Sequence, residues 1–551
     1  ALDALQTAGV GPTAERVALL GVLGWVGLRL GIVALQGGLR WGWRMGFFGM
    51  SRRVEYGMRR QLFEKLLGLD SGFFRRMRLG DLLSRAMSDL SAVRESLGFG
   101  WLALLDGVAT VSLTVAFMVH SDARLSVEIL WPMVFVPVLV VTLGRKVRDN
   151  ERKIQGLLDV LSQAATESFS GARVIHAYAR QAEEVGRFER AAQAYRDRGL
   201  NLAVVEAVYW PLLWVVAGVS ELLLIYHGGM RVSSRHMTDG GFVMFQAYLA
   251  QIQWPVMALG ISSNAYIRGR VSIERLNEVY DADGELKAPL EGEGFPQVGT
   301  PVAECRAVVR SYGNARAVLK GVDLSVHGGE WLGLASRLGG GKSTLLRLFP
   351  RLDDVDSGQA LLWGRDVRDW PLKALRRRVA LVAQEPFIFS ETVLDNIAFA
   401  YSGDPAERLD QAMEAAKLAD LHESIQGLPQ GYATLLGEKG VNLSGGQKQR
   451  LALARALFAR PDLLLLDDAF SAVDTATEER IVTALRRALP SSAVLMVSHR
   501  VSTLSLCDRV MVLEDGQVAA QGSPAELLQQ EGIFFEMAQR ERLARRVGLG
   551  A

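Results

Sequence analysis

The pattern of hydrophobic and polar positions divides the chain into two halves. Up to about residue 280 the sequence carries long apolar stretches, whereas the remainder alternates short apolar runs of strand length with helix-like segments. Alternation of that kind is typical of an α/β domain. At 551 residues the chain is also longer than one hydrophobic core normally serves, so we predict a multidomain protein.

The first half contains apolar stretches that are long enough to cross a bilayer as helices, which takes roughly 20 residues each. They are Val17 to Leu39, Phe99 to Val119, Leu125 to Leu143, Leu202 to Ile225 and Phe242 to Ile267. Polar stretches rich in Arg and Glu, over residues 51–96 and 145–198, lie between them and are typical of helices that continue into the cytosol. We predict an all-α polytopic transmembrane domain over residues 1–280. A soluble protein with these stretches as core helices is disfavoured by their length.

The number of predicted spans is odd. If the polar extensions and the second half share the cytosolic side, an odd number places Ala1 on the opposite side of the membrane. We therefore expect that one earlier transmembrane helix is absent from this chain.

Charged residues occur within or near the predicted spans at Arg29, Glu206 and Glu221. A charge at the middle of a bilayer costs at least about 3 kcal/mol on insertion scales, so such residues usually face a polar cavity. They are candidates for a substrate pathway. The alternative, in which they reach or pair near a headgroup layer, stays open.

Composition narrows the functional classes. The chain has 62 Lys and Arg residues against 60 Asp and Glu residues, so no basic surface argues for nucleic acid. Its two cysteines, Cys305 and Cys507, have no metal-ligand spacing and suggest no disulfide framework. Residues 281–300, rich in Gly and Pro, read as a linker between the halves.

A phosphate-binding loop is predicted at SRLGGGKST, between the strand-like Trp331 to Ala335 and a helical segment. Its glycines let backbone N–H groups approach an anion, Lys342 reaches the outer phosphates of a nucleotide, and Ser343 holds Mg²⁺. Ser336 stands where the pattern has its first glycine. The predicted ATP-binding residues of this loop are Ser336, Gly339, Gly340, Gly341, Lys342, Ser343 and Thr344.

Two further strands are predicted to end on polar side chains. The run LLLLDD is apolar enough for a strand buried on both faces, and it ends on Asp467 and Asp468. We expect Asp467 to associate with Mg²⁺ through water. The run VLMVSH ends on His499, which can approach the outermost phosphate.

The stretch LSGGQKQRLALARAL, residues 443–457, is similar to the signature motif of ATP-binding cassette (ABC) proteins. The resemblance implies ATP and Mg²⁺ as ligands and assigns roles to further residues. Tyr312 would stack on adenine, Gln384 would be a catalytic and Mg²⁺-associated residue, Ser471 to Asp474 would form the D-loop, and His499 would be the switch histidine. The signature residues facing a partner's ATP would be Leu443, Ser444, Gly445, Gly446 and Gln447.

The first half also resembles this family. Residues 73–89 and 167–184 look like the two intracellular loops of exporter-type ABC half-transporters, whose coupling helices dock on the ATPase domains. The resemblance implies helices 2–6 of a six-helix transmembrane domain over 1–280, a linker over 281–300 and an α/β P-loop ATPase domain over 301–551. It implies an integral protein of the plasma (inner) membrane with its nucleotide-binding domain in the cytoplasm.

One catalytic position departs from the family. The residue after the Mg²⁺-linked aspartate is a glutamate in the family, where it activates the attacking water, and here it is Asp468. Removing one methylene retracts the carboxylate by roughly 1.5 Å, and a displacement of about 1 Å can cost about 10²-fold in rate. We therefore predict that the chain's own site binds ATP and hydrolyses it weakly. Backbone adjustment that tolerates aspartate is the alternative.

Since ABC sites form between two domains, an intact signature motif beside a weakened acid predicts a non-identical partner half-transporter with an intact catalytic glutamate. The expected function is export of hydrophobic drugs, lipids or peptides across the lipid bilayer. Alternatives are a regulatory ATP-binding membrane subunit and a homodimeric ABC flippase of lipids or drugs. A soluble ABC ATPase acting on DNA or ribosomes would need no apolar spans.

Overall fold

The computed structural model describes residues 12–282, 284, 286, 289, 299–312, 316–337, 339–400, 405–437 and 440–546. The chain divides into two compact units. One is Ala1–Gly68 with Met77–Ala282, and the other is Leu69–Arg76 with Asp283–Ala551. The segment 69–76 therefore belongs to the second unit, although the chain on both sides of it belongs to the first.

The described part of the first unit consists almost entirely of helices, as the sequence predicts. Its helices are Pro12–Gly68, Leu79–Ser84, Arg85–Asp89, Leu90–Glu95, Ser96–Gly100, Trp101–Ser121, Ala123–Leu130, Trp131–Val134, Phe135–Ser170, Ala172–Ala177, Gln181–Leu223, Leu224–Gly228, Gly229–Ser233 and Asp239–Tyr280. Three of these, Arg85–Asp89, Ser96–Gly100 and Leu224–Gly228, are π-helical turns that continue a neighbouring α-helix.

Three helical stretches among the described residues are long and apolar enough to cross a membrane: Leu79–Ser121, Ala123–Ser170 and Gln181–Ser233. They contain the second, third and fourth predicted spans. The first and fifth predicted spans lie within Pro12–Gly68 and Asp239–Tyr280.

The third predicted span, Leu125 to Leu143, is not one continuous α-helix. A 3₁₀ turn, Trp131–Val134, interrupts it where Pro132 occurs. Proline has no backbone N–H to donate and its ring crowds the preceding turn, so the regular α-helical ladder is broken there. Leu125, Ile129 and Met133 are nevertheless buried, in a cluster that includes Phe245 of helix Asp239–Tyr280.

The second unit contains two sheets. The strands are β1 Ala303–Arg310, β2 Leu319–Val326, β3 Trp331–Ser336, β4 Ser357–Leu362, β5 Arg365–Asp366, β6 Val379–Val382, β7 Leu463–Asp467, β8 Ala493–Val497, β9 Arg509–Glu514 and β10 Gln517–Gly522. A four-stranded antiparallel sheet has the order β2-β1-β4-β5, and a six-stranded sheet has the order β10-β9-β3-β8-β7-β6. In the larger sheet β9, β3, β8, β7 and β6 pair in parallel.

Helices flank these sheets, as expected for an α/β P-loop domain. They are Ser71–Arg76, Lys342–Leu348, Val367–Asp369, Leu372–Arg378, Val393–Ile397, Pro405–Leu418, His422–Gln426, Gly431–Ala433, Gly445–Phe458, Thr475–Ala488, Val501–Leu504, Pro524–Leu527 and Ile533–Arg546. The predicted fold class, a helical transmembrane half followed by an α/β domain, is confirmed.

The leucine run of β7 contributes to a hydrophobic core on each face of the six-stranded sheet. Leu464 and Leu466 belong to one hydrophobic core, while Leu463 and Leu465 belong to the other, and all four are fully buried. Alternate residues of a strand point to opposite faces, so a continuous leucine run supplies both cores at once. Burial of the strand leaves its carboxyl end as the first place where charged side chains emerge.

Candidate functional site

The predicted phosphate-loop, Mg²⁺-associated and catalytic residues lie at the carboxyl edge of the larger sheet. β3 ends at Ser336 and β7 at Asp467, and β8 lies between these two strands. His499 follows the end of β8, and Gln384 follows the end of β6. Because parallel strands end at one edge of a sheet, residues that are distant in sequence converge there.

The phosphate loop turns from β3 into helix Lys342–Leu348. Gly339 has φ 80° and Gly341 has φ 91°, left-handed values that glycine adopts without strain. A Cβ on Gly341 would also lie 2.8 Å from Cδ2 of Leu319. Lys342 and Thr344 are buried at the start of the helix. The backbone of the loop therefore favours glycine at positions 339 and 341, where the sequence pattern has it.

Lys342 is held by the loop itself. Its Nζ donates hydrogen bonds to Ser336 Oγ at 2.7 Å and to the carbonyl oxygen of Ser336 at 3.2 Å. Burial lowers the pKa of this ammonium group, and the negative charges of Asp467 and Asp468 partly oppose that shift. The lysine thus lies close to both acidic residues that the sequence analysis singled out.

Ser343 and Asp467 form the part of the site suited to a metal ion. The Ser343 hydroxyl lies near the Asp467 carboxylate. Burial raises the pKa of Asp467, and the charge of Asp468 adds to the rise, while Ser343, Lys342 and His499 oppose it. A hydroxyl and a carboxylate are hard oxygen ligands of the kind that Mg²⁺ prefers. The residues present therefore fit the predicted ion.

Gln384 reaches the same place from the end of β6. Its Nε2 lies 3.5 Å from Oδ2 of Asp468, at the limit of a hydrogen bond. Its side chain therefore lies beside Asp468. Among the described residues, no group of three or more His, Cys, Asp and Glu side chains is arranged to hold a metal ion. The assignment of Ser343, Gln384 and Asp467 as Mg²⁺-associated residues stays a prediction.

Asp468 has an unusual backbone. Its φ is 49°, in the left-handed region that aspartate tolerates better than most residues. Its N–H donates to the carbonyl oxygen of Val497 in β8 at 3.1 Å. The backbone of Asp468 is therefore tied to the neighbouring strand, and its carboxylate extends one bond less far than a glutamate would.

Tyr312, the predicted adenine-stacking residue, belongs to a cluster centred on Asp353. The Tyr312 hydroxyl lies 3.2 Å from Asp353 Oδ2 and 3.3 Å from Thr344 Oγ1. The guanidinium carbons of Arg75 and Arg310 lie 4.8 Å and 5.2 Å from the centre of its ring. Such cation–π contacts orient the ring beside the phosphate loop.

Asp353 is the centre of this cluster and was missed by the sequence analysis. Its side chain is only 2% exposed and accepts hydrogen bonds from Arg75 and Ser71, both of helix Ser71–Arg76. Burial alone would raise the pKa of Asp353, but the bonds from Arg75 and Ser71 and the charge of Arg347 lower it overall. Helix Ser71–Arg76, which overlaps the start of the predicted intracellular loop, is thus anchored beside Tyr312.

The signature residues begin helix Gly445–Phe458. Ser444 caps the helix: its Oγ accepts from the N–H of Gln447 at 3.3 Å, and the Gln447 side chain accepts from the N–H of Ser444 at 2.9 Å. Leu443 packs against the adjoining core. A Cβ on Gly446 would lie 2.7 Å from the carbonyl oxygen of Ala472, so glycine is needed for this close approach, and Gly445 is the first helical residue.

A second residue missed from the sequence, Gln449, fastens the signature helix to the predicted D-loop. Its Nε2 donates to Ser471 Oγ at 2.7 Å, and its Oε1 accepts from the N–H of Ala472 at 2.9 Å. Asp474 caps the next helix by accepting from the N–H of Thr477 at 2.9 Å. Signature and D-loop therefore form one braced surface.

Two family models match the chain, one over the helical half and one over the α/β half. Residues 17–256 match the ABC transporter transmembrane region, and residues 319–471 match the ABC transporter model. A relative from Escherichia coli strain K12, the multidrug resistance-like ATP-binding protein MdlA, is 30% identical over 95% of this chain and 88% of its own length. The chain belongs to the ABC transporter family.

Other relatives of this ABC transporter match over most of its length. The ATP-dependent lipid A-core flippase of Syntrophus aciditrophicus is 30% identical over 92% of this chain and 83% of its own. A solved bacterial Atm1-family ABC exporter with ATP bound superposes with a TM-score of 0.78 at 26% identity, covering 98% of this chain and 93% of that one. The transporter therefore carries a membrane-spanning exporter domain and an ATPase domain.

The charged residues of the predicted pathway lie on two helices of this ABC transporter. Arg29 is exposed on Pro12–Gly68, and Glu206 and Glu221 lie on Gln181–Leu223. A small apolar cavity in the helical unit is lined instead by Met133, Val136, Leu213, Trp214, Ala217, Gln253, Val256 and Met257. A role of the three charged residues in a pathway stays a prediction.

Proposed function

We propose that this chain is one half of a heterodimeric ATP-driven exporter. It binds ATP on its own phosphate loop, hydrolyses it weakly there, and supplies its signature motif to a partner's hydrolysing site. The combination of a short acid at position 468 with an intact signature motif resembles the TmrB subunit of the TmrAB exporter. The site residues would have the roles that the family resemblance implies. The carrying observation is Asp468, a short acid on a backbone tied to β8.

The geometry of Asp468 supports weak hydrolysis. A shift of its backbone towards the nucleotide would stretch the hydrogen bond from its N–H to Val497. The strand before it is fixed as well, because Leu463 to Leu466 are fully buried. Backbone adjustment is therefore a poor substitute for the missing methylene, and the acid is expected to hold the attacking water outside its best position.

The residues of the phosphate loop and of the neighbouring strand ends would bind nucleotide and Mg²⁺ before hydrolysis. Lys342 would exchange its contacts within the loop for the outer phosphates, and the backbone N–H groups that follow Gly339 would bind phosphate oxygens. Ser343, Asp467 and Gln384 would hold Mg²⁺, which when bound neutralises charge on the phosphates. His499 would contact the outermost phosphate.

Transport would follow from closure of two ATPase domains around nucleotide. Ser444, Gly445 and Gly446 would cover the ATP bound by the partner, with Gln449 bracing them. Closure favours one conformation of the membrane domain through contacts made only in that state, which is a population shift. Helix Ser71–Arg76, bonded to Asp353 beside Tyr312, is suited to carry the nucleotide state towards the membrane domain.

The proposed cargo is hydrophobic: drugs, lipids or peptides. Relatives named for multidrug resistance and for lipid A-core flipping support this class. We place the protein in the plasma (inner) membrane with its ATPase domain in the cytoplasm. The flippase relatives also favour a second candidate, a homodimeric lipid flippase.

Subunit composition separates the two candidates. The protein is purified from membranes in detergent with every co-purifying subunit, and the intact complex is weighed by mass spectrometry. We expect one copy of this chain with one unlike half-transporter, and ATPase activity that hydrophobic drugs, lipids or peptides stimulate. A complex of two copies of this chain that hydrolyses ATP rapidly would overturn the heterodimer proposal.

A further inference from the structure

The hydroxyl of Ser336 lies at the centre of the folded phosphate loop. Ser336 is 2% exposed, and a Cβ built on Gly340 would lie 2.5 Å from its Oγ. The loop is therefore closed tightly around this hydroxyl. A glycine at position 336, as in the common loop pattern, would leave that volume without a polar group.

The direction of the Ser336 hydroxyl follows from its partners. Its O–H donates to the carbonyl oxygen of Arg337 at 2.7 Å, which leaves the lone pairs of Oγ free to accept. Lys342 Nζ, 2.7 Å from the same oxygen, is the donor. The same carbonyl oxygen of Arg337 also accepts from the N–H of Gly340 at 3.2 Å, so the acceptor that orients the hydroxyl is itself fixed.

Lys342 has acceptors for all its protons within the loop. An ammonium group carries three N–H donors. The three acceptors are Ser336 Oγ at 2.7 Å, the carbonyl oxygen of Ser336 at 3.2 Å and that of Arg337 at 3.4 Å. The shortest of these contacts is the one that a glycine could not make. The side chain of Ser336 therefore adds the strongest hold on the lysine.

We propose that Ser336 competes with the nucleotide for Lys342 and so lowers the affinity of this site for ATP. The inference rests on the proposed role of Lys342 in binding the outer phosphates. To reach a phosphate, the ammonium group must leave Ser336 Oγ, and the loss of that charge-assisted hydrogen bond opposes binding. The serine thus acts as an internal stand-in for a phosphate oxygen and sets how readily the loop accepts nucleotide.

Binding of a fluorescent ATP analogue with Mg²⁺ to the purified complex tests this inference. Ser336→Ala keeps the Cβ and removes only the hydroxyl, whereas Ser336→Gly also frees the backbone. We expect Ser336→Ala to tighten binding by about three- to tenfold, a fraction of what one charge-assisted hydrogen bond contributes. A similar gain with Ser336→Gly would assign the effect to the hydroxyl.

A double-mutant cycle with Lys342→Ala identifies the mechanism. We expect Ser336→Ala to have no effect once Lys342 is gone, because the competition needs both side chains. Unchanged or weaker binding by Ser336→Ala alone would overturn the inference, as would an equal gain with and without Lys342. The proposed function fails differently: Lys342→Ala would then leave nucleotide binding at this site intact.

Discussion

The phosphate-loop edge and the signature helix belong to the same unit but differ in how far they keep the family pattern. The edge departs at Ser336 and Asp468. The signature from Leu443 to Gln447 matches fully, and a capping box and Gln449 brace it. Under the proposed function, the unit would differ from the family in the residues that act on its own nucleotide and would match it in those presented to a partner.

This contrast has a simple physical basis. The two departures amount to one added hydroxyl and one missing methylene, which would change contacts to a nucleotide without disturbing the fold. The signature residues cannot vary so freely, because they also have local structural roles. Ser444 caps a helix, and Gly446 lies against the backbone of Ala472. The proposed loss of activity at the phosphate-loop edge would thus be compatible with an intact signature surface.

Charge at the signature provides the largest test of the contrast. Ser444→Asp keeps a helix-capping side chain but places a carboxylate where the partner's phosphates would bind. We expect ATP hydrolysis by the complex to fall by about 100-fold, the effect of losing one stabilising donor at a reacting phosphate. Ser444→Asn, which has the same shape and caps as well, is the matched control and should lose far less. Equal losses in both variants would remove charge as the cause.

A glutamate at position 468 tests the same contrast at the phosphate-loop edge. Asp468→Glu extends the carboxylate towards the attacking water and is expected to raise hydrolysis at this site by about 10- to 100-fold. The measurement is single-site turnover in complexes whose partner acid has been neutralised. In complexes whose partner acid is intact, Asp468→Asn is the control and should leave total hydrolysis nearly unchanged. If Asp468→Glu gains nothing, the short acid is not the limiting defect.

Removal of the loop lysine distinguishes binding from turnover. Lys342→Ala is expected to reduce trapped nucleotide at this site by about tenfold, the size of one lost charge-assisted contact, while steady-state hydrolysis falls less. Labelled ATP retained after rapid desalting measures the first quantity, and phosphate release measures the second. A parallel fall in both would mean that this site carries the main hydrolytic flux.

The smallest expected effect concerns stability at the Asp353 cluster. Its pKa is lowered in the folded protein, so its contribution is present above the unfolded value of about 3.9 and is lost as pH falls through the folded value. Asp353→Asn should cost about 1–3 kcal/mol at neutral pH, with the difference shrinking below about pH 4. Thermal unfolding across pH measures this cost.

The control for that experiment is Asp462→Asn. Asp462 pairs with Arg378, but its side chain is 47% exposed, so its loss should cost less than about 0.5 kcal/mol. A pH-independent difference between wild type and Asp353→Asn would contradict the electrostatic explanation.

Local patterns predicted the parts of the site that follow strands. The leucine run fixed β7 and the positions of Asp467 and Asp468, because strand periodicity and burial are encoded within a few residues. The loop glycines were predictable for the same reason. Their positive φ values are local requirements.

Long-range contacts escaped prediction. Ser71 and Asp353 lie 282 positions apart and are of ordinary residue types, so neither carries a sequence signal of their hydrogen bond. The two hydrogen bonds of Gln449 depend on which way a helical side chain points. The 3₁₀ turn at Trp131–Val134 had a signal, Pro132, but an apolar span with a proline can also remain one kinked helix.

The assignment of residues 69–76 to the second unit bears on how the protein is made. These residues are synthesised long before Asp353, so Ser71 has no partner there until the chain has grown by a further 282 residues. A gene fragment encoding only the ATPase half would yield a domain in which the buried Asp353 lacks its hydrogen bonds from Ser71 and Arg75. Biochemistry on such a fragment would describe an incomplete enzyme, which supplying a peptide of residues 69–76 should repair.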